Sequence, residues 1–337
     1  MIPSTRRPVT MQDIATELGV SRALVSMAFR DVAGVSAQTR LTVLETAKRL
    51  GYRHNRVASR LASKVTDTYG VFLLDLRQDV YADMFDGIRK VADEGNKHLV
   101  LAVGSIDGRR DARALDELLQ SRVDAVIATG LLLPDAEVRA FSAQVPLVSV
   151  ARRIDGVDSV HSDNAAGARA ATSHLQDLGH ERIVFLANPV TDGYLGRRDG
   201  YMATMQTAGL EPWIVESHYS RRQAAEDIAP VLALPPGRRP TAVFAHNDQA
   251  ALGVLDAMAA AGLRPVADVS VVGYDNSLVS RAPGTLLTTV DIHGEELGRL
   301  ATEVAGRRLA HPEAEPANLM LEPTLIVRAT TGPVSVG

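Results

Sequence analysis

Residues 9–30 read VTMQDIATELGVSRALVSMAFR, which is the pattern of two short helices joined by a tight turn. Thr10, with Asp13 three positions later, forms a capping box that satisfies the first backbone donors of the leading helix. Gly19 supplies the left-handed residue that ends this helix, and Ser21 can cap the next one. The stretch therefore predicts a helix-turn-helix, whose second helix suits the major groove of DNA, although any small helical bundle can share the pattern.

The second helix has two chemically different sides. Its apolar side, expected to be buried, consists of Leu24, Val25, Ala28 and Phe29. The side that would face a DNA groove consists of Arg22, Ala23, Ser26, Met27 and Arg30. A third helix, from the Ser36 cap to the Gly51 stop, would close a miniature core.

Residues 52–64, YRHNRVASRLASK, form a basic segment after the third helix. Val57, Ala58 and Leu61 recur there at helical spacing, but so short a helix is marginal on its own. We expect the segment to gain order on DNA, with its arginines against phosphates and an apolar residue wedged into the minor groove.

The charge of the chain is divided unevenly. Residues 1–64 contain 11 Lys and Arg but only 4 Asp and Glu, whereas the remaining residues contain 25 Lys and Arg and 36 Asp and Glu. A basic head on an acidic body indicates that the head holds nucleic acid, with a merely solvated surface as the alternative. The sequence has no cysteine, no signal-peptide pattern and no apolar run of about 20 residues, so we expect a cytoplasmic protein that does not enter a membrane.

From residue 69 onward, apolar runs of strand length alternate with amphipathic helical stretches. The predicted strands of a first unit are 69–75, 98–103, 123–129 and 146–150. Those of a second unit are 182–187, 212–217, 241–245 and 269–274. This alternation predicts two doubly wound parallel sheets, and two such units side by side leave a ligand cleft at the carboxyl ends of their strands.

Polar side chains at these strand ends are the main candidates for ligand binding. Asn247 and Asp275 each follow a predicted strand, and Arg197 is expected in the loop after 182–187. Amide, carboxylate and guanidinium groups suit a polyhydroxylated ligand, because each hydroxyl both donates and accepts. A turn-stabilising or surface role is the alternative for these residues, and Asp248 is interpreted as a helix cap.

Further candidates depend on weaker patterns. The loop after the first strand would place Asp79 and Tyr81 at the mouth of the cleft, and Arg152 ends another strand. Each of these side chains could equally face solvent. The histidines have no metal-ligand spacing, so the sequence predicts no metal site. No cofactor and no catalytic group are expected either, because the usual nucleotide-binding and nucleophile motifs are missing.

Six motifs follow one another along the chain: VTMQDIA, GVS, LVS, VSAQTR, LGY and NRVASRLAS. Their order and spacing are those of the lactose/galactose repressor family, which the chain resembles. The resemblance implies that Arg22 and Ala23 read bases, and that residues 55–63 form a hinge helix with Leu61 as its minor-groove wedge. Met27 stands where many members carry Arg, which leaves the operator sequence open. The DNA-contacting positions are then Thr10, Ser21, Arg22, Ala23, Ser26, Met27, Arg30, Asn55, Arg56, Ala58 and Leu61.

The resemblance continues past residue 320 and implies an all-α helix-turn-helix domain plus hinge helix, followed by an α/β body like the periplasmic sugar-binding proteins. The implied boundaries are 1–54 for the DNA-binding domain, 55–66 for the hinge helix and linker, and 67–337 for the ligand-sensing domain. Its first subdomain would span about 67–163 and 292–321, and its second about 164–291 and 322–331.

In the family, positions matching Arg197, Asn247 and Asp275 face the ligand. Where several relatives carry a polar residue after LTTV, this chain reads DIH, which puts Ile292 or His293 near a crossing.

These patterns predict a sequence-specific DNA-binding transcriptional regulator, acting as a repressor, whose operator affinity is controlled by a sugar or sugar derivative in the cleft. We expect a homodimer on double-stranded DNA, since the final residues, RATTGPVSVG, lack the heptad repeat of an appended coiled coil. No GxGxxG, P-loop or nucleophile elbow is present, so catalysis is not expected. A solute-binding protein without a regulatory role is the alternative, but it would have no use for residues 1–64. The identity of the effector, and whether it induces or corepresses, stay open.

Overall fold

The computed structural model describes residues 9–30, 34–52, 65–188, 192–218 and 220–334. Contacts within the chain divide it into two compact units, Met1–Val65 and Thr66–Gly337. The hinge helix expected at 55–63, with Asn55, Arg56, Ala58 and Leu61, lies outside the described residues. Among the residues that are described, no helix combines the length and the apolar character needed to cross a membrane.

The described part of the first unit consists of helices α1 (Met11–Leu18), α2 (Arg22–Arg30) and α3 (Ala37–Leu50). The predicted capping box is confirmed: the Thr10 hydroxyl accepts from the Asp13 amide at 3.3 Å, and the Asp13 carboxylate accepts from the Thr10 amide at 2.7 Å. Gly19 is left-handed, with φ 65°, and turns the chain into α2. The helices pack around Ile14, Ala15, Val25, Ala28, Val43 and Ala47. The helix-turn-helix prediction is therefore confirmed.

The body has a larger and a smaller parallel sheet among its described residues. The larger sheet consists of β1 (Thr68–Leu73), β2 (His98–Val103), β3 (Ala125–Thr129), β4 (Leu147–Val150), β5 (Asp158–Ser162) and β11 (Asn318–Leu321). Its order is β11-β5-β4-β3-β1-β2, and every neighbouring pair is parallel. With helices α4 (Asp79–Glu94), α5 (Asp111–Gln120), α6 (Asp135–Ser142) and α12 (Gly294–Ala310) it forms the first lobe. Strands β5 and β11 are not predicted by the sequence pattern, because their short, partly polar runs do not resemble buried strands.

The smaller sheet consists of β6 (Ile183–Ala187), β7 (Trp213–Glu216), β8 (Ala242–Ala245) and β9 (Ser270–Val272), in the order β7-β6-β8-β9. The second lobe adds helices α7 (Asn164–Asp177), α8 (Asp192–Thr207), α9 (Arg221–Leu232), α10 (Asp248–Ala260) and α11 (Leu278–Arg281). Its antiparallel pair is β10 (Thr289–Asp291) with β12 (Thr324–Ile326). Within the described residues, the chain crosses between the lobes after β5, after β10 and after β11. The prediction of two doubly wound parallel sheets is confirmed.

Helices α4 and α12 touch backbone to backbone in the first lobe. A Cβ placed on Gly298 would lie 1.9 Å from the carbonyl oxygen of Met84, and one on Gly87 would lie 1.9 Å from that of Glu295. Because any side chain at these two positions would collide with a backbone oxygen, glycine is what permits the contact.

A buried tyrosine organises the second lobe. The Tyr201 hydroxyl donates to the Ile183 carbonyl at 2.7 Å and accepts from the Trp213 amide at 2.8 Å. Ile183 begins β6 and Trp213 begins β7, so α8 is tied to the amino ends of both strands.

Candidate functional site

The candidate ligand pocket lies between the two lobes, at the carboxyl ends of the parallel strands. The strand order reverses between β1 and β3 in the larger sheet and between β6 and β8 in the smaller one. Open α/β sheets bind ligands in the crevices at such reversals. The empty space of the pocket is about 660 Å³ when its part open to solvent is included. It is lined by Leu74, Val80, Tyr81, Met84, Gly130, Leu132, Ala151, Arg152, Ser162, Asn164, Gly193, Arg197, His246, Asn247, Asp275, Ile292 and Leu297.

Arg197 lines this pocket from helix α8, and the expectation of a loop position was wrong because α8 begins before it. Its Nε donates to the Asn164 side-chain oxygen at 2.9 Å, and its other nitrogens donate to the His246 carbonyl and, at 3.3 Å, to the Asp275 carboxylate. The guanidinium also stacks on the Tyr274 ring, 3.7 Å from the ring centroid. The cation is therefore held in one orientation at the pocket wall.

Asp275 faces Arg197 from the loop after β9 and is only 8% exposed. Burial raises the pKa of this carboxyl to about 7, although the charge of Arg197 acts in the opposite direction. Its backbone has φ 105°, and its amide donates to the Val290 carbonyl at 2.8 Å. The acid is thus poised between its charged and neutral forms near neutral pH.

The structure places the helix cap at Asn247, which also lines the pocket, and not at Asp248. Asn247 is the cap of α10, since its side-chain oxygen accepts from the Ala250 amide at 2.8 Å. Asp248 is the first residue of the helix and is buried, with its carboxylate accepting from the Ser277 amide at 2.7 Å and from the Thr289 hydroxyl at 2.6 Å. The interpretation of Asp248 as a cap was wrong, because a single-residue shift of the helix start decides which side chain reaches the free amides.

Tyr81 and Asp79 lie in the first turn of α4, so the expectation of a loop there was wrong as well. Tyr81 is buried and lines the pocket, where its hydroxyl lies against Gly130. Asp79 is not among the lining residues. Its carboxylate accepts from the Gln249 side chain at 3.5 Å, which links the first turn of α4 to the second lobe.

Arg152 and Ile292 both line the pocket. The Arg152 guanidinium donates to the carbonyls of Leu131, at 3.0 Å, and Leu133, at 2.6 Å, and pairs with Asp135. Arg152 is therefore engaged in holding the loop after β3. Ile292 is 4% exposed and presents an apolar side chain at the second crossing.

Several lining residues were not predicted from the sequence, and the polar ones among them are Ser162, Asn164 and His246. Ser162 and Asn164 flank the crossing after β5, so recognising that short strand would have found them. His246 directly follows β8 and could have been found beside Asn247. Burial, and then the charge of Arg197, lower the pKa of His246 well below its usual value, so the ring is neutral at pH 7.

The expected DNA-facing side of α2 is open in the structure of the first unit. Arg22 and Ala23 are exposed, Ser26 and Met27 are half-buried, and the side chain of Arg30 lies outside the described residues. The Ser21 hydroxyl accepts from the Leu24 amide at 3.1 Å, and this contact starts the helix. Thr10 has the corresponding role in α1. In the described part of the chain, no group of three His, Cys, Asp or Glu residues is placed to hold a metal ion.

One unit contains a capped helix pair, and the other contains a pocket with polar groups between two α/β lobes. This combination is typical of DNA-binding regulators that respond to a ligand. The model of the family "Bacterial regulatory proteins, lacI family" matches residues 10–55, and that of the "Periplasmic binding protein-like domain" matches residues 172–331. The chain belongs to the lacI family of bacterial regulatory proteins.

Relatives of known name match along nearly the whole chain. The HTH-type transcriptional regulator GalS of Salmonella typhimurium is 32% identical over 95% of this chain and 96% of its own length. The ribose operon repressor of Escherichia coli K12 is 31% identical over 95% and 99%. Among solved structures, the Lac repressor dimer bound to operator and the anti-inducer ONPF has a TM-score of 0.85 and 29% identity, covering 97% of this chain and 100% of that one.

Proposed function

We propose that the protein is a transcriptional repressor that binds operator DNA as a homodimer and whose affinity for DNA is controlled by a sugar or sugar derivative held between the lobes. The observation that carries this proposal is the combination, in one chain, of a capped α2 exposing Arg22 and Ala23 with a pocket containing Arg197, Asn247 and Asp275. The Lac repressor, with operator and anti-inducer bound, supports the same reading. The protein acts through binding, not through catalysis.

The polar end of the pocket has the chemistry that hydroxyl groups require. Asp275 can accept, the Asn247 side-chain amide can donate, and Arg197 supplies a cation held against Asp275 and the His246 carbonyl. A ligand changes DNA affinity only if it prefers one of two arrangements of the protein, and a swing from 1:99 to 99:1 requires a preference of about 10⁴-fold. We assign the responding element to residues 55–63. They belong to the hinge helix and linker at 55–66, between a DNA-binding domain at 1–54 and a ligand-sensing domain at 67–337.

The test of DNA recognition begins with selection of duplexes from a random pool, followed by affinity measurements on the selected site. Arg22→Ala should weaken binding to that site by about 10-fold to 100-fold, because a base-reading arginine contributes about 1–3 kcal/mol. Lys48→Ala is the matched control, since it removes the same charge from the exposed end of α3 and should have little effect. Failure of the parent to select any sequence, with or without sugars, would reject the proposal.

A further inference from the structure

The two walls of the pocket have opposite character. The second lobe contributes Arg197, His246, Asn247 and Asp275, all of them polar. In the part of the chain that is described, most side chains of the first-lobe wall are aliphatic, and these are Leu74, Val80, Met84, Leu132, Ile292 and Leu297. Its polar side chains are Tyr81, Ser162 and Arg152, and the Arg152 guanidinium is bonded to the Leu131 and Leu133 carbonyls and to Asp135. A ligand in this pocket therefore has one side facing hydrogen-bonding groups and another facing hydrocarbon.

Backbone groups add little hydrogen-bonding capacity to this wall. The Leu132 amide donates to the Asp111 carboxylate at 2.8 Å, and the carbonyls of Leu131 and Leu133 accept from Arg152. The loop after β3 thus directs these polar atoms into the protein and away from a ligand.

The strand ends next to this loop have their amides engaged in the same way. The amides of Leu74, Gly130 and Ala151 donate to the neighbouring strands at 3.2, 3.2 and 2.9 Å. A ligand hydroxyl placed against this wall would lose water without gaining a partner.

Two hydroxyl groups interrupt the aliphatic wall near its edges. The Tyr81 hydroxyl lies against Gly130. Ser162 is 5% exposed, lines the pocket beside Asn164, and has no hydrogen-bond partner for its hydroxyl among the described residues. Ser162 therefore extends the polar side of the pocket at the crossing after β5. The part of the wall formed by the side chains of Leu74 and Leu132 stays apolar.

On the basis of the proposed function, we propose that the effector is a sugar with an apolar side: a 6-deoxyhexose, or a glycoside whose alkyl or aryl group replaces a hydroxyl. The hydroxylated edge binds Arg197, Asn247 and Asp275, and the apolar group packs against Leu74 and Leu132. Each hydroxyl forced against that wall should reduce affinity by about 10-fold to 100-fold. The aliphatic wall offers little face-to-face stacking for a nucleobase, so nucleosides should bind more weakly.

The test uses pairs of sugars that differ in one group, with the melting temperature of the full chain and calorimetric affinity as readouts. Suitable pairs are D-galactose with D-fucose, L-mannose with L-rhamnose, and D-glucose with its methyl and phenyl β-glucosides. We expect the deoxy or glycosidic member of at least one pair to bind at least 10-fold tighter than its hydroxylated partner. Equal or tighter binding of the hydroxylated member, preference for a nucleoside, or no binding in any pair would overturn the inference.

A substitution in the wall should change the preference. Leu132→Asn supplies an amide at a half-buried position, so it should weaken binding of the deoxy sugar. The ratio of the affinities for the deoxy sugar and its hydroxylated partner should fall by about 10-fold. Leu278→Asn is the matched control, because Leu278 is 68% exposed on α11 and lies outside the pocket lining. If Leu132→Asn does not fold, Ile292→Thr makes the same test, and an unchanged preference in a folded variant would contradict the inference. The proposed function is tested separately, by whether the sugar-free protein selects a DNA sequence from a random pool. That result does not depend on which sugar binds.

Discussion

Asp275 shows how one residue can connect burial, charge and ligand binding. Its pKa is raised to about 7 by burial beside Arg197, and the nearby Asp248, whose own pKa is raised to about 6, adds to the shift. Between about pH 4 and pH 7 the folded protein therefore binds more protons than the unfolded chain. Its stability should fall as the pH rises through this window and become level above it.

Asp275→Asn removes this ionisation while keeping the shape of the side chain. Relative to the parent, the variant should gain stability as the pH rises from 4 to 7, by at most about 4 kcal/mol for a shift of about three pKa units. Urea unfolding at a series of pH values measures the difference. A difference between the two proteins that does not change with pH would contradict the assigned pKa.

At the same scale, the sequence predicted which side chains line the pocket better than it predicted the elements that carry them, although Asp79 does not line it. Arg197, Tyr81, Arg152, Asn247, Asp275 and Ile292 all line the pocket, but Arg197 and Tyr81 do so from helices and not from loops. Helix starts are set by which side chain caps the free amides, and neighbouring Asn and Asp residues are nearly equivalent caps. The aliphatic wall could not be recognised, because its leucines have the same sequence pattern as core residues.

At the scale of elements, the contact between α4 and α12 depends on atoms that glycine lacks. Gly298→Ala would drive a Cβ into the Met84 carbonyl oxygen, so it should destabilise the body by about 1–3 kcal/mol or more, despite the better helix propensity of alanine. Gly306→Ala, in the same helix, places its Cβ 3.5 Å from the Tyr69 hydroxyl, an ordinary contact, and should stabilise by up to about 1 kcal/mol. Denaturant unfolding compares the two variants, and similar effects from both would contradict a backbone-to-backbone contact.

Periodicity recovered most elements of the fold, but not all of them. Long buried strands such as β1 and β3 were predicted within one or two residues, since their apolar runs are continuous. β5 and β11 were missed because β5 is rich in polar residues and β11 is a half-exposed edge strand. Pairing with neighbours distant in sequence stabilises such strands, and no local pattern records that pairing.

At the scale of the whole molecule, the uneven charge of the chain predicts how it binds DNA of any sequence. Residues 1–64 contain 11 basic and 4 acidic residues, whereas the remainder of the chain contains 25 basic and 36 acidic ones. If a dimer neutralises about 6–10 phosphates, affinity for a random duplex should fall by about 10³-fold to 10⁵-fold between 50 and 200 mM salt. Fluorescence anisotropy of a labelled duplex measures this slope, and an affinity that does not change with salt would argue against binding through the basic head.

The position of Trp213 has a practical consequence for spectroscopy. It is the only tryptophan in the sequence, and it begins β7, at the end of the second lobe opposite the strand ends that line the pocket. Its amide is fixed by the Tyr201 hydroxyl, so its emission reports on the integrity of the second lobe. Intrinsic fluorescence thus follows unfolding of this lobe, whereas optical detection of a bound sugar requires an added chromophore near the cleft.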